Sequence, residues 1–83
     1  MVELSELPNI GKVLEKELIE SGINTPEELT NVGSKEAFLR MWENNHTACL
    51  SKLCAIEGAI QHVRWHNLDE TKKRELKKFH QSL

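Results

Sequence analysis

The stretch from about Thr47 to Trp65 constrains this chain most, because its apolar residues cover too wide an arc for a helix lying on a surface. Leu50, Leu53, Ile56, Ile60 and Val63 recur at helical spacing, with Cys54, Ala55, Gly58 and Ala59 beside them. A helix apolar over such an arc has to be wrapped by others, so the sequence predicts a central helix. Gly58 within it is unfavourable by about 0.5–1 kcal/mol relative to Ala. Its place beside Ala55 and Ala59 predicts a tight helix crossing, with another backbone passing closely there.

The segments around it read as shorter helices. Ile10, Val13, Leu14 and Leu18 approach helical periodicity, and Gly22 follows where a left-handed cap is expected. In Thr25-Pro26-Glu27-Glu28, Thr25 can cap, Pro26 suits the first helical position and Glu28 stands where a capping box needs it. This second helix is expected to run to about Val32. After Gly33, Ser34 is the expected cap of a third helix, striped by Ala37, Phe38, Met41 and Trp42 and stopping near Asn44 and Asn45. Asp69 is expected to cap a last helix that turns Leu76, Phe79 and Leu83 inward and its cations outward. The expected fold is all-α, a compact five-helix domain with no strand.

A chain of 83 residues has room for one domain, taken as residues 1–83. A domain this small buries only about 60–65% of the surface its unfolded chain exposes, which leaves little material for a deep pocket. No apolar run approaches the ~20 residues of a membrane span, and MVELSELPNIGK lacks the layout of a signal peptide. A cytoplasmic location is the expectation. Cys49 and Cys54, five apart on one expected helix, diverge too far for a disulfide and read as small core residues of a reducing compartment.

Leu7-Pro8-Asn9-Ile10-Gly11-Lys12, with Leu18, Gly22-Ile23, Thr25 and Leu29, resembles a helix-hairpin-helix segment. LIESGINTPEEL is similar to wording in the C-terminal domain of the bacterial RNA polymerase alpha subunit. GSKEAFLRMWE, LCAIEGAIQHVRWHNL and the closing basic helix narrow the match. From about Leu4 to Phe79 the chain resembles the C-terminal domain of the TfoX/Sxy competence regulators, most specifically at Ala55-Ile56-Glu57-Gly58-Ala59 followed by Trp65. The resemblance implies a helical domain opening with a helix-hairpin-helix-like unit, and an association with switching on DNA-uptake genes. In the usual family form an additional N-terminal domain is present, and these 83 residues are expected to lack it. The resemblance therefore implies fold more firmly than biological role.

Hairpins of this type bind DNA when two close glycines let backbone N–H groups at a helix N-terminus reach a phosphate. Here Asn9 takes the first glycine position, while Gly11 and Lys12 match. Asn tolerates left-handed angles, but its side chain is expected to crowd a phosphate. Residues 1–30 also hold seven Glu against Lys12 and Lys16, which opposes the counterion release that drives DNA binding. Lys73 and Lys77, one turn apart on the last helix, offer a second phosphate-contacting route, with Glu70 placed to pair with Arg74. Possible DNA or partner contacts are thus Asn9, Ile10, Gly11, Lys12, Lys73 and Lys77.

No catalytic, cofactor or metal site is expected. His62 and His66 have helical metal-site spacing, but Arg64 between them disfavours a cation. Cys49 or Cys54 with His46 or His62 lacks any sign of an orienting group or oxyanion hole. Glu57, within the most apolar helix, is expected either to form an ion pair with Arg40 or Arg64 or to face solvent. The sequence therefore reads as a non-enzymatic module acting through a protein partner or by self-association, with Trp65 and His66 as further contact candidates. A weak DNA-binding factor is the alternative, and neither a membrane nor a small-molecule substrate is expected.

Overall fold

Five α-helices form around two short 3-10 turns in the computed structural model, which describes residues 3–44 and 48–83. The helices are α1 (Lys12–Glu20), α2 (Pro26–Val32), α3 (Ser34–Asn44), α4 (Leu50–Gln61) and α5 (Glu70–Gln81). The 3-10 turns cover Leu4–Glu6 and Trp65–Asn67, and no strand occurs among the described residues. The expectations placed on Asn45, His46 and Thr47 lie outside those residues.

Each boundary has a local cause. Leu7-Pro8-Asn9-Ile10 closes a turn through Ile10 N–H to Leu7 O at 3.4 Å, with Pro8 second and Asn9 third at φ 70°. That is the type II pattern, in which Pro fixes one angle and the next residue must be left-handed. Helix α1 ends at Gly22, φ 88°, with Ile23 N–H reaching Leu18 O at 2.9 Å in a Schellman cap. Thr25 caps α2 by accepting from Glu28 N–H at 3.1 Å. Gly33 then serves two helices, since its N–H donates to Leu29 O while its carbonyl accepts from Ala37 N–H. Gly33, and not Ser34, therefore precedes α3, and Ser34 enters the helix as a buried residue.

Helix α4 stops four residues short of its expected end at Trp65. His62 turns left-handed at φ 61°, and Val63 N–H bonds Gly58 O at 2.9 Å, a Schellman cap without glycine. The reversal lets the chain form the Trp65–Asn67 turn and enter α5 behind Asp69, whose side chain makes no capping bond.

The core has two parts joined by α3 and α4. One gathers Leu4, Leu7, Ile10, Leu14, Leu18, Ile23 and Leu29 of the N-terminal half against Ala37, Met41, Ala55, Ile56 and Ala59. The other packs Phe38, Leu53, Cys54, Leu68 and Leu76 under Trp42, Val63, Trp65 and Phe79. Helix α4 contributes to both, which makes it the central helix its apolar arc requires. Three expectations fail at the margins. Val13 is 72% exposed because Leu14 and Leu18 already fill the inward face of α1. Leu83 lies beyond the end of α5 and is exposed. Cys49 is the exposed residue before α4, whereas Cys54 is buried within it.

Candidate interaction surface

The hairpin turns its asparagine inward. Asn9 Nδ2 donates to Val63 O at 2.9 Å and to Ala55 O at 3.4 Å, and its Oδ1 accepts from Trp65 N–H at 3.1 Å. One carboxamide thus satisfies backbone groups freed where α4 ends. Gly58 makes room for it: a Cβ there would lie 2.6 Å from Asn9 Nδ2 and 2.8 Å from Val63 O. No helix makes the crossing expected at Gly58: the close approach is made by the Asn9 side-chain amide and by the backbone of the turn that follows α4.

This arrangement sorts the hairpin residues. Ile10 is 4% exposed and belongs to the core, so it offers no surface contact. Asn9 neither crowds a phosphate nor reaches a partner, because its polar atoms are engaged within the fold. Gly11 is exposed at the start of α1, where no side chain caps the helix, and the Lys12 side chain is 82% exposed. Two of the nearby glutamates are bound internally. Glu15 accepts from Ser5 N–H at 2.9 Å, and Glu17 takes Lys52 Nζ at 2.8 Å.

Two shallow grooves meet at Ser51 and Trp65. The first runs between the hairpin side and α4, with Gly11, Lys12, Val13 and Leu14 facing Lys52, Ala55, Arg64 and His66. The second runs between α4 and α5, with Leu50 and Cys54 facing Lys73, Arg74 and Lys77. Residues far apart in sequence are therefore joined around one tryptophan, whose ring stacks on His66 with centroids 4.0 Å apart. Lys73 is tied down by donating to His66 O at 3.0 Å, and it takes the Glu70 carboxylate at 3.7 Å in place of the expected Arg74. Lys77 remains exposed. Arg64, Arg74, Lys52 and Val13 also line this surface, and only the cation clustering of α5 hinted at any of them.

The residues match the TfoX C-terminal domain over positions 1–80. The chain belongs to that family. A crystal structure of an uncharacterised protein from Listeria monocytogenes, triclinic form, is 69% identical and superposes with a TM-score of 0.97, covering 98% of this chain and 92% of its own. A tetragonal form of a Listeria monocytogenes protein of unknown function is 71% identical with a TM-score of 0.93, covering 95% and 96%. No curated protein matches the chain.

Within this TfoX C-terminal domain, Glu57 is held by two neutral donors in place of an arginine. Ser34 Oγ donates to Glu57 Oε1 at 2.6 Å, and the Gln61 amide donates to Oε2. The expected pair with Arg40 is replaced, because Arg40 turns along its own helix to Glu36 at 3.8 Å. The carboxylate thus holds α4 to the start of α3 at the buried Ser34. His62 and His66 do not share a helix, since the chain reverses at His62. Among the described residues no group of three or more His, Cys, Asp or Glu is placed to hold a metal ion, and no helix is long and apolar enough to cross a membrane.

Proposed function

We propose that this chain is a non-enzymatic, cytoplasmic protein-interaction domain of regulatory type, acting through the surface around Trp65. The observation that carries the reading is the layout of the two grooves. Val13, Ala55, Trp65, Leu50 and Cys54 line their apolar parts, with Lys12, Arg64, Arg74 and Lys77 around them. An apolar centre with a charged rim is the arrangement of a protein interface, whereas phosphate-backbone recognition rests on cations and N–H donors and gains nothing from an apolar centre. Neither a cofactor nor a small-molecule substrate enters this reading. Its extension to transcriptional regulation of competence rests on family membership. Unchanged DNA-uptake gene expression in a strain lacking the protein removes that extension.

A second reading, weak DNA binding, is favoured by one feature. The start of α1 is open at Gly11, and Lys12 stands beside it. Backbone amide shifts on titration with a short DNA duplex, at low and then physiological salt, separate the two. An unchanged spectrum at low salt supports the protein-interaction reading. Salt-sensitive shifts centred on residues 10–12 overturn it in favour of DNA.

A further inference from the structure

The groove between α4 and α5 has a more specific chemistry than the rest of the surface. Leu50 and Cys54 stand one turn apart on α4 and, with Trp65, give it an apolar floor. Lys73 and Lys77 stand one turn apart on α5, with Arg74 between them on the same side of the groove. Among the described residues, the side chains of Arg74 and Lys77 have no ion-pair or hydrogen-bond partner. The single carboxylate lining the groove, Glu70, lies against Lys73. An apolar trough with one cationic wall is complementary to a helix that is apolar on one face and acidic on its flank.

We propose that this groove docks an acidic amphipathic helix of a partner protein, a proposal that rests on the protein-interaction reading above. Leucine- or phenylalanine-like side chains of the partner cover Leu50, Cys54 and Trp65, while its Asp or Glu side chains meet Arg74 and Lys77. A nucleic acid fits less well, because the phosphate backbone has nothing to cover the apolar floor and His66 already covers one face of Trp65.

The test is an amide-shift titration of the full chain with a synthetic helix carrying leucines at i, i+3, i+4 and i+7 and glutamates along one flank. The same helix with lysines for glutamates and a short DNA duplex serve as comparisons. The expected result is shifts at Leu50, Ser51, Cys54 and the Trp65 indole with the acidic helix and none with the basic one. Arg74→Glu combined with Lys77→Glu is expected to weaken binding about tenfold or more. Both positions are exposed, and an unchanged melting temperature confirms that the variant stays folded.

Absence of groove shifts with the acidic helix overturns the proposal. Shifts confined to Lys12 and Val13 overturn the site while leaving the protein-interaction reading standing. Groove shifts produced by the duplex and not by the peptide overturn both. Concentration-dependent shifts of the same groove residues in the free protein replace the partner with a second copy of this chain.

Discussion

The carboxamide of Asn9 lies where the side chain of Gly58 would begin, 2.6 Å from the position of a Cβ. The two residues are 49 positions apart, and each explains the other. Asn9 bonds the turn after α4, and only glycine at position 58 leaves it space to do so.

Gly58→Ala therefore tests packing against propensity. Alanine adds about 0.5–1 kcal/mol of helix propensity but pushes into Asn9 and into the Val63 carbonyl, which is backbone and cannot swing away. Overpacking outweighs propensity here, and we expect a net loss of about 1–2 kcal/mol, read from denaturant melts. Combining it with Asn9→Gly should give less than the sum of the two losses, because both act on one contact. Strict additivity would show that the Val63 carbonyl alone is responsible.

Asn9→Ala removes the carboxamide and places alanine at a left-handed angle, so a loss of about 2–4 kcal/mol is expected. Asn9→Gly keeps the angle, and its loss should be smaller by about 1 kcal/mol. A reversed order in thermal melts would mean that the left-handed angle at position 9 costs alanine little, and a near-zero loss for Asn9→Gly would mean that the hydrogen bonds to Val63 and Trp65 contribute little.

Glu57→Ala should destabilise the fold by about 1–2 kcal/mol more than Glu20→Ala, since it leaves the buried Ser34 hydroxyl without its acceptor. For a domain of this size each 1 kcal/mol moves the melting temperature by about 4–8 °C. Ser34→Ala on the Glu57→Ala background should then cost almost nothing further. Equal melting temperatures for the two Glu variants would remove the role assigned to Glu57.

The cysteines should separate cleanly by reactivity. Cys49 is exposed, whereas Cys54 is buried and its thiol is pushed up from the ordinary value, first by burial and then by Cys49, against a lowering by Lys73. Brief treatment of the folded protein with a thiol reagent should label Cys49 alone, as read by peptide mass spectrometry. Because the folded state holds the Cys54 proton more tightly, its contribution is complete below the unfolded value and is lost as pH rises through the folded one. Cys54→Ser should therefore flatten stability on the alkaline side of 9.0. Equal early labelling of both cysteines would show that the Cys54 thiol in the floor of the α4–α5 groove is open to the reagent.

Glu75 works in the opposite direction. Its hydrogen bond with Lys72 at 2.8 Å, and the charges of Lys35 and Lys72, hold its carboxyl below the ordinary value of 4.5. A lowered folded value means that its contribution is present above 4.5 and is lost as pH falls through the folded one. Glu75 is exposed, so the effect is small and sensitive to salt. Glu75→Gln should reduce the acid-side slope of stability in low salt and have little effect in high salt. A slope that persists in the variant would assign acid sensitivity to another carboxylate.

The sequence by itself determined whatever depends on near neighbours. Apolar spacing located α4 as the central helix, Gly22 and Thr25-Pro26 placed the junction of α1 and α2, and Asp69 marked the start of α5. Backbone sterics and helical periodicity act over a few residues, so they can be read in order along the chain. Only the tertiary structure decided the rest. It exposed Val13 because other residues filled the core first, turned Asn9 inward, gave Glu57 to Ser34 in place of Arg40, and reversed the chain at His62 without a glycine. It also brought the surroundings of Lys12 and Lys77 together around Trp65. Each of these outcomes depends on groups tens of positions apart competing for one space or one hydrogen bond, and local spacing carries no record of that competition.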